Sequence, residues 1–153
     1  MNKKKAGKIQ KITICSSAAF FKEVLEFEKK LIDLGFNVLV PCTARQMKKE
    51  GNFNESDYKL WFKDNSLYKR KTFLMRDHFK KVVTSDAILV VNLRKHEVDG
   101  YIGGNTLMEM ALAFYLKKLI FILNQTPSDF FLYEEIVGMN PVILNGDLNL
   151  ISF

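Results

Sequence analysis

Short β-rich runs alternating with longer helical stretches predict one three-layer α/β domain, a doubly wound parallel sheet between two layers of helices. Three observations carry that expectation. Ala87-Ile88-Leu89-Val90-Val91 is apolar at every position, as a central parallel strand buried on both faces requires. Phe21, Val24, Leu25, Phe27, Leu31 and Leu34 recur near a 3.6-residue period, which is helical. The 153 residues suit a single domain, since domains run to roughly 100–200 residues.

Residues 1–10 read as a basic, flexible tail, and residues 11–153 as the domain. Lys11-Ile12-Thr13-Ile14-Cys15 is the first strand. A helix over 20–34 follows and stops at Gly35. Phe36-Asn37-Val38-Leu39-Val40 is the second strand, closed by Pro41, which cannot donate to a ladder. A polar stretch over 43–54 then precedes a helix through Tyr58, Trp61 and Phe62, an insertion after the second strand. The next helix covers 68–83, with Phe73, Leu74, Phe79, Val82 and Val83 as its apolar side. After the apolar third strand, the Gly-rich loop 99–105 leads into a helix over 106–116. Leu119-Ile120-Phe121-Ile122-Leu123 is the fourth strand, and a short helix over 130–137 precedes a last strand over 141–144.

The formal net charge of +6 suggests nucleic acid, but 19 of the 23 basic residues are Lys. Only Arg45, Arg70, Arg76 and Arg94 offer the planar fork that reads bases and phosphates bidentately. No zinc-finger spacing or RNP-like aromatic motif is present, so polymeric nucleic acid is not expected as a partner. A second basic cluster, Lys69-Arg70-Lys71 with Arg76, Lys80 and Lys81, is either a solvated helix face or a phosphate-facing surface. No apolar run approaches the ~18 residues that span a bilayer. The basic start is followed by a strand rather than a secretory apolar segment, so a cytoplasmic chain without a membrane partner is expected. Cys15 and Cys42 each end an apolar run, with no CxxC and no nearby His pair. They read as buried small hydrophobes, with a catalytic thiol at Cys15 as the alternative. No metal and no cofactor are called for.

Ligands of open α/β sheets bind beyond the carboxyl ends of the strands. Three loops qualify. Cys15-Ser16-Ser17-Ala18-Ala19 is small and hydroxyl-bearing and enters a helix. Ser16 and Ser17 there serve either as an ordinary N-cap or as an anion cradle. Neither GxGxxG nor GK[ST] occurs. The third strand ends at Val91-Asn92 and starts after Ser85-Asp86, where Asp86 is either a turn cap or a polar ligand partner. The loop Gly100-Tyr101-Ile102-Gly103-Gly104-Asn105 is the most informative. Its paired glycines permit close backbone approach or positive φ. Thr106-Leu107-Met108-Glu109 fits a capping box, in which Glu109 merely reaches back to the N-cap amide. The competing reading is a carboxylate in the first turn of a helix facing the crevice, ionised and able to attack an anomeric carbon.

Taken in order, these segments resemble the nucleoside 2-deoxyribosyltransferase-like superfamily, which includes nucleoside deoxyribosyltransferases and 2'-deoxynucleoside 5'-phosphate N-hydrolases. Ile14-Cys15-Ser16-Ser17 is similar to the family's first-strand turn, and Ser85-Asp86-Ala87-Ile88-Leu89-Val90-Val91 to its aspartate-led apolar strand. Glu109-Met110-Ala111-Leu112-Ala113, led by Gly104, is similar to its glutamate helix. The resemblance implies a flavodoxin-like sheet in order 2-1-3-4-5, a homodimer or higher homo-oligomer, and a nucleoside or nucleotide-like small molecule as partner. It implies that Glu109 attacks C1' and expels the base, after which the glycosyl group passes to water or to a second base. Ser16, Ser17, Asn92, Gly103, Gly104, Asn105 and Thr106 would form the pocket, with His78 and Asp86 as polar partners.

Several positions depart from the family's pattern. An acidic residue eight positions before the strand-leading Asp becomes His78, either an acid–base group beside Asp77 or an ordinary helix residue. The phosphate-binding Arg and Ser of some members fall on Ala19 and Gly103, and a first-strand Tyr on Thr13. Such losses are also what a non-catalytic nucleotide or small-molecule sensor on the same fold would show. A flavin-binding flavodoxin fits less well, because the first loop lacks that fold's hydroxyl-rich phosphate loop.

Overall fold

Strand β1 (Lys11–Ser16) pairs on one side with β2 (Asn37–Leu39) and on the other with β3 (Ala87–Val91), placing Ile12 beside Ala87 and Ser16 beside Val91. Strands β4 (Leu119–Ile122) and β5 (Val142–Ile143) extend the sheet beyond β3. All pairings are parallel and the order is β2-β1-β3-β4-β5, the expected flavodoxin-like arrangement. The computed structural model describes residues 8–152, so most of the expected tail lies outside the described residues. The end of that tail belongs to the domain: Ile9 is buried, and the Gln10 carbonyl accepts from the Asn37 amide at 2.8 Å.

Strand parity divides the core into two layers. Ile12, Ile14, Leu89 and Phe121 face helix α1 (Phe21–Asp33) and helix α2 (Cys42–Glu50), joining Phe21, Val24, Leu31 and Met47. Cys15, Ile88, Val90 and Ile122 face the other way. There they meet Val82 of α3 (Tyr68–Thr84), Met110 and Ala113 of α4 (Gly104–Tyr115), and Ile136 of α5 (Tyr133–Gly138). No helix among the described residues is long and apolar enough to cross a membrane.

Three expectations change. The stretch after Pro41 is not simply polar. It forms α2, buried through Thr43, Ala44 and Met47 and stopped by Gly51 at φ 65°. The helix expected through Tyr58, Trp61 and Phe62 is instead three 3-10 turns, Glu55–Asp57, Leu60–Phe62 and Asn65–Leu67. Asn54 and Asp64 accept from the Ser56 and Ser66 amides and so start the first and third turns, while Lys59 begins the second without a side-chain cap. Helix α3 turns a different face inward: Phe73 and Val83 are exposed, while the His78 and Val82 side chains are buried.

Candidate functional site

Cleft walls at the carboxyl end of the sheet come from the β1 turn, α2, the 3-10 segment, α3 and the start of α4. It encloses about 240 Å³, near the small end of ligand pockets, which run upward from about 300 Å³. Phe21, Trp61, Leu74 and Met75 supply apolar wall, and Ser16, Ser17, Lys71, His78, Asn105 and Glu109 supply polar groups.

Periodicity explains which side chains reach this space. On α3, Lys71, Leu74, Met75, His78 and Val82 share one stripe at helical spacing. On α4, Thr106, Glu109, Met110 and Ala113 form the buried stripe, so Glu109 enters the molecule with the core residues. Cys15 faces both helices because its parity on β1 matches that of the buried layer beneath them.

The Glu109 carboxyl is held from one side. Asn105, one turn earlier, donates from Nδ2 to Oε1 at 3.0 Å, and Lys71 Nζ donates to Asn105 Oδ1 at 3.3 Å. The Oε2 atom has no hydrogen-bond partner and lies 3.8 Å from His78 Nε2. Both nitrogens of the buried His78 ring are also without partners. Burial raises the Glu109 pKa to about 8, against smaller lowering effects from the Cys15 thiol and Lys71. Burial likewise lowers His78 to about 4, helped by the Lys81 charge and opposed by the nearby Ile14 carbonyl and the Asp77 carboxylate. Burial beside Glu109 pushes the Cys15 thiol well above its ordinary value.

These facts correct the expected state of the carboxylate. Helix α4 begins at Gly104 with Gly103 as an N-cap lacking a side-chain bond, so there is no capping box. Glu109 is the helix's sixth residue, in the second turn. It lies too far from the amide end to be held ionised by the dipole, and burial favours its protonated form at neutral pH. His78 is neutral there, a core-facing residue with acid–base geometry toward Glu109.

Ser16, Ser17, His78, Gly104, Asn105 and Glu109 come together at the cleft. Ser17 caps the 3-10 turn Ala18–Phe20, accepting from the Ala19 amide, and also accepts from Lys95 Nζ at 3.0 Å. Asp86 is not brought to the site. It sits at the opposite end of β3, where Oδ2 accepts from the Gln10 and Lys11 amides at 2.9 and 2.8 Å. Those two bonds hold its carboxyl below the usual range. Asn92 is fully buried behind the loop, donating to the Gly100 and Asn124 carbonyls and accepting from the Asn124 amide. Gly103 and Thr106 position α4 without lining the cleft, Thr106 being buried in the helix face.

Several cleft residues escaped the sequence reading. Lys71 leaves the basic cluster and turns inward, 5.6 Å from the Trp61 ring centroid, while Lys69, Arg70, Arg76 and Lys80 remain in solvent. Its spacing of seven from His78, two helical turns, was the readable signal. Across the mouth, Glu55 pairs with Lys59 at 2.7 Å and Lys95 at 2.9 Å. Burial alone would raise the Glu55 carboxyl, but the two lysines hold it below its ordinary value. The i,i+4 spacing of Glu55 and Lys59 was readable, but nothing in the sequence brings Lys95, 40 residues beyond Glu55, to the same carboxylate.

The donor set at the floor (thiol, imidazole and carboxyl) joins an amide, a lysine and two hydroxyls under an aromatic wall. It can bind a small polar ring system, move one proton between His78 and Glu109, and present a carboxyl oxygen to an electrophilic carbon. No protein-family model matches the chain, and no curated protein matches it in sequence.

Proposed function

We propose that the chain cleaves the N-glycosidic bond of a nucleoside, nucleotide or related N-riboside, with Glu109 as nucleophile. The observation that carries this reading is the unpartnered Oε2 of Glu109 on the cleft floor, its sister oxygen fixed by Asn105. Trp61 and Phe21 supply apolar surface for a base, and Ser16, Ser17 and Lys71 supply polar contacts for sugar hydroxyls.

The buried pair carries one proton between about pH 4 and pH 8, and burial favours its place on Glu109. Ligand binding shifts that proton across the 3.8 Å gap to His78 Nε2, leaving a carboxylate beside an imidazolium. The carboxylate attacks C1' while the C1'–N bond breaks and its electron pair stays on the base. The imidazolium then protonates the departing nitrogen. Water, or a second base, attacks C1' of the glycosyl ester and frees the Glu109 carboxylate, its proton passing to His78. By resemblance the active form is a homo-oligomer, and the exposed Phe73 of α3 and Met108, Phe114 and Tyr115 of α4 offer apolar surface for it.

A second reading has its own observation. Burial raises the pKa of the carboxyl that should attack and favours its non-nucleophilic form, as suits a protein that binds a nucleotide-like molecule without turning it over. Incubation with a panel of nucleosides and nucleotides, following free base by chromatography, separates the two. Base release that vanishes in Glu109→Gln supports the enzyme, whereas ligand-induced thermal stabilisation without free base sinks it and leaves the sensor.

A further inference from the structure

Three side chains far apart in sequence meet beneath the cleft: Cys15 at the end of β1, His78 within α3 and Glu109 within α4. One potential ligand atom from each lies within 4.8 Å of the other two, and all three residues are buried. Glu109 Oε2 and both His78 ring nitrogens have no hydrogen-bond partner. Buried polar atoms left in this way are uncommon in folded proteins, and Glu109 Oε2 and His78 Nε2, 3.8 Å apart, ask for an occupant.

We infer that Cys15, His78 and Glu109 form a binding site for a zinc-class divalent cation. Sulfur, imidazole nitrogen and carboxylate oxygen are the donor set of a borderline-soft ion, whereas Ca²⁺ and Mg²⁺ demand oxygen shells. Tetrahedral bonds of about 2.0–2.3 Å set neighbouring ligand atoms about 3.3–3.8 Å apart. The His78–Glu109 separation of 3.8 Å exceeds the nitrogen–oxygen spacing of about 3.3–3.5 Å by a few tenths of an ångström, which a side-chain rotation closes. A pair at the 4.8 Å limit closes by about 1 Å on binding. His78 and Glu109 line the cleft floor, so the fourth position opens toward entering water or ligand. Asn105, bonded to the other Glu109 oxygen and backed by Lys71, is the outer-shell support that fixes a ligating carboxylate.

Binding forms metal–sulfur, metal–nitrogen and metal–oxygen bonds and releases the thiol and carboxyl protons to water, with no change in oxidation state. The cation takes the oxygen that glycosyl transfer requires, so occupancy and turnover exclude each other. That inhibition rests on the nucleophile reading; the binding does not.

The test titrates chelator-treated full-length protein with Co²⁺, then competes it with Zn²⁺. One equivalent is expected to produce a thiolate-to-cobalt charge-transfer absorption and tetrahedral d–d bands, both removed by Zn²⁺. Cys15→Ala abolishes the charge-transfer absorption, and His78→Gln weakens binding at least tenfold. A charge-transfer absorption that persists in Cys15→Ala places the ion on Cys42 and overturns the site, as does the absence of binding up to millimolar cation. Should either variant fail to fold by circular dichroism, X-ray absorption at the zinc edge of wild-type protein decides. One sulfur and one imidazole scatterer support the site, and a shell of oxygen alone overturns it. Base release that continues undiminished with zinc saturated leaves the site standing and removes Glu109 as nucleophile. Base release with no cobalt absorption overturns the site alone.

Discussion

Glu109 is a group whose folded surroundings oppose its charge, and that gives it a thermodynamic signature. Its pKa rises from about 4.5 to about 8 on folding, so the folded protein binds this proton more tightly than the unfolded chain. The resulting stabilisation is complete below pH 4.5 and is lost progressively as pH climbs toward 8. Glu109→Gln keeps the shape and removes the ionisable group. The metal-free variant is expected to gain on the order of 1–3 kcal/mol over wild type at pH 7.5, and much less at pH 4.5. Urea denaturation at the two pH values checks this, and a gain that does not grow with pH refutes the protonated carboxyl. The same proton frames activity. With His78 near 4 and Glu109 near 8, the pair holds the single proton of the proposed transfer only between those values. Base release by chelated protein should therefore fall below about pH 4 and above about pH 8. His78→Gln should slow base release about 10²–10⁴-fold at the optimum, read from initial rates across the profile. Glu109 was legible because a lone carboxylate within an apolar helix behind a Gly-rich loop stands out. Cys15 was half legible, its burial being readable and its neighbours not, since residues 15, 78 and 109 meet only once strand parity and two helix faces are fixed.

At the scale of elements, the sequence was clearest where burial has a period. The five strands, their parallel pairing and helices α1 and α4 follow from runs and stripes that one face of a sheet or helix demands. Helix α3 was legible as a helix but not in the face it buries. Legibility failed between Pro41 and Leu67. Helix α2 buries Thr43, Ala44 and Met47, too few apolar residues to mark a stripe, and is tied to α1 by the Arg45–Glu28 ion pair. The 3-10 segment obeys local side-chain capping rather than any period, yet it builds one wall of the cleft. In the Gly-rich loop the positive φ falls on Gly100 rather than on the paired glycines, of which Gly104 lines the cleft. Gly103 and Gly104 do not have positive φ, and a Cβ on Gly104 would meet nothing within 4 Å. Gly100 has φ +71°, and a Cβ there would lie 2.1 Å from the Gln125 carbonyl oxygen. Its own carbonyl accepts from Asn92 and Thr126, which locks the loop that leads into α4. Gly100→Ala is expected to cost on the order of 2–4 kcal/mol through a left-handed backbone and a backbone clash. Gly104→Ala should leave stability within about 0.5 kcal/mol. Paired chemical denaturation measures both, and equal costs would show that the loop can shift to admit a side chain at Gly100.

For the whole molecule, charge and apolar surface pull in opposite directions. Each chain carries a formal +6, so two copies repel at low ionic strength. Against that, adjacent helices α3 and α4 expose large apolar side chains: Phe73 at 54% and, on α4, Phe114 at 52% and Tyr115 at 82%. Met108 and Tyr115 are seven residues apart and share a stripe two turns long. Apolar side chains that form one contiguous patch mark association sites, whereas those exposed singly do not. If the chain assembles through it, the attraction is apolar and indifferent to salt, while the repulsion is screened within a Debye length of about 8 Å near physiological ionic strength. Association should therefore tighten as salt rises, opposite to a complex held by ion pairs. Sedimentation velocity at micromolar protein is expected to show a dimer or larger species whose dissociation constant falls between roughly 0.05 M and 0.5 M salt. Met108→Glu with Tyr115→Glu places carboxylates on the stripe, and each stranded charge must be desolvated for copies to meet. The double variant should sediment as a monomer with an unchanged melting temperature. A wild-type chain already monomeric at every salt concentration would leave these side chains solvent-facing and remove the homo-oligomer from the functional reading.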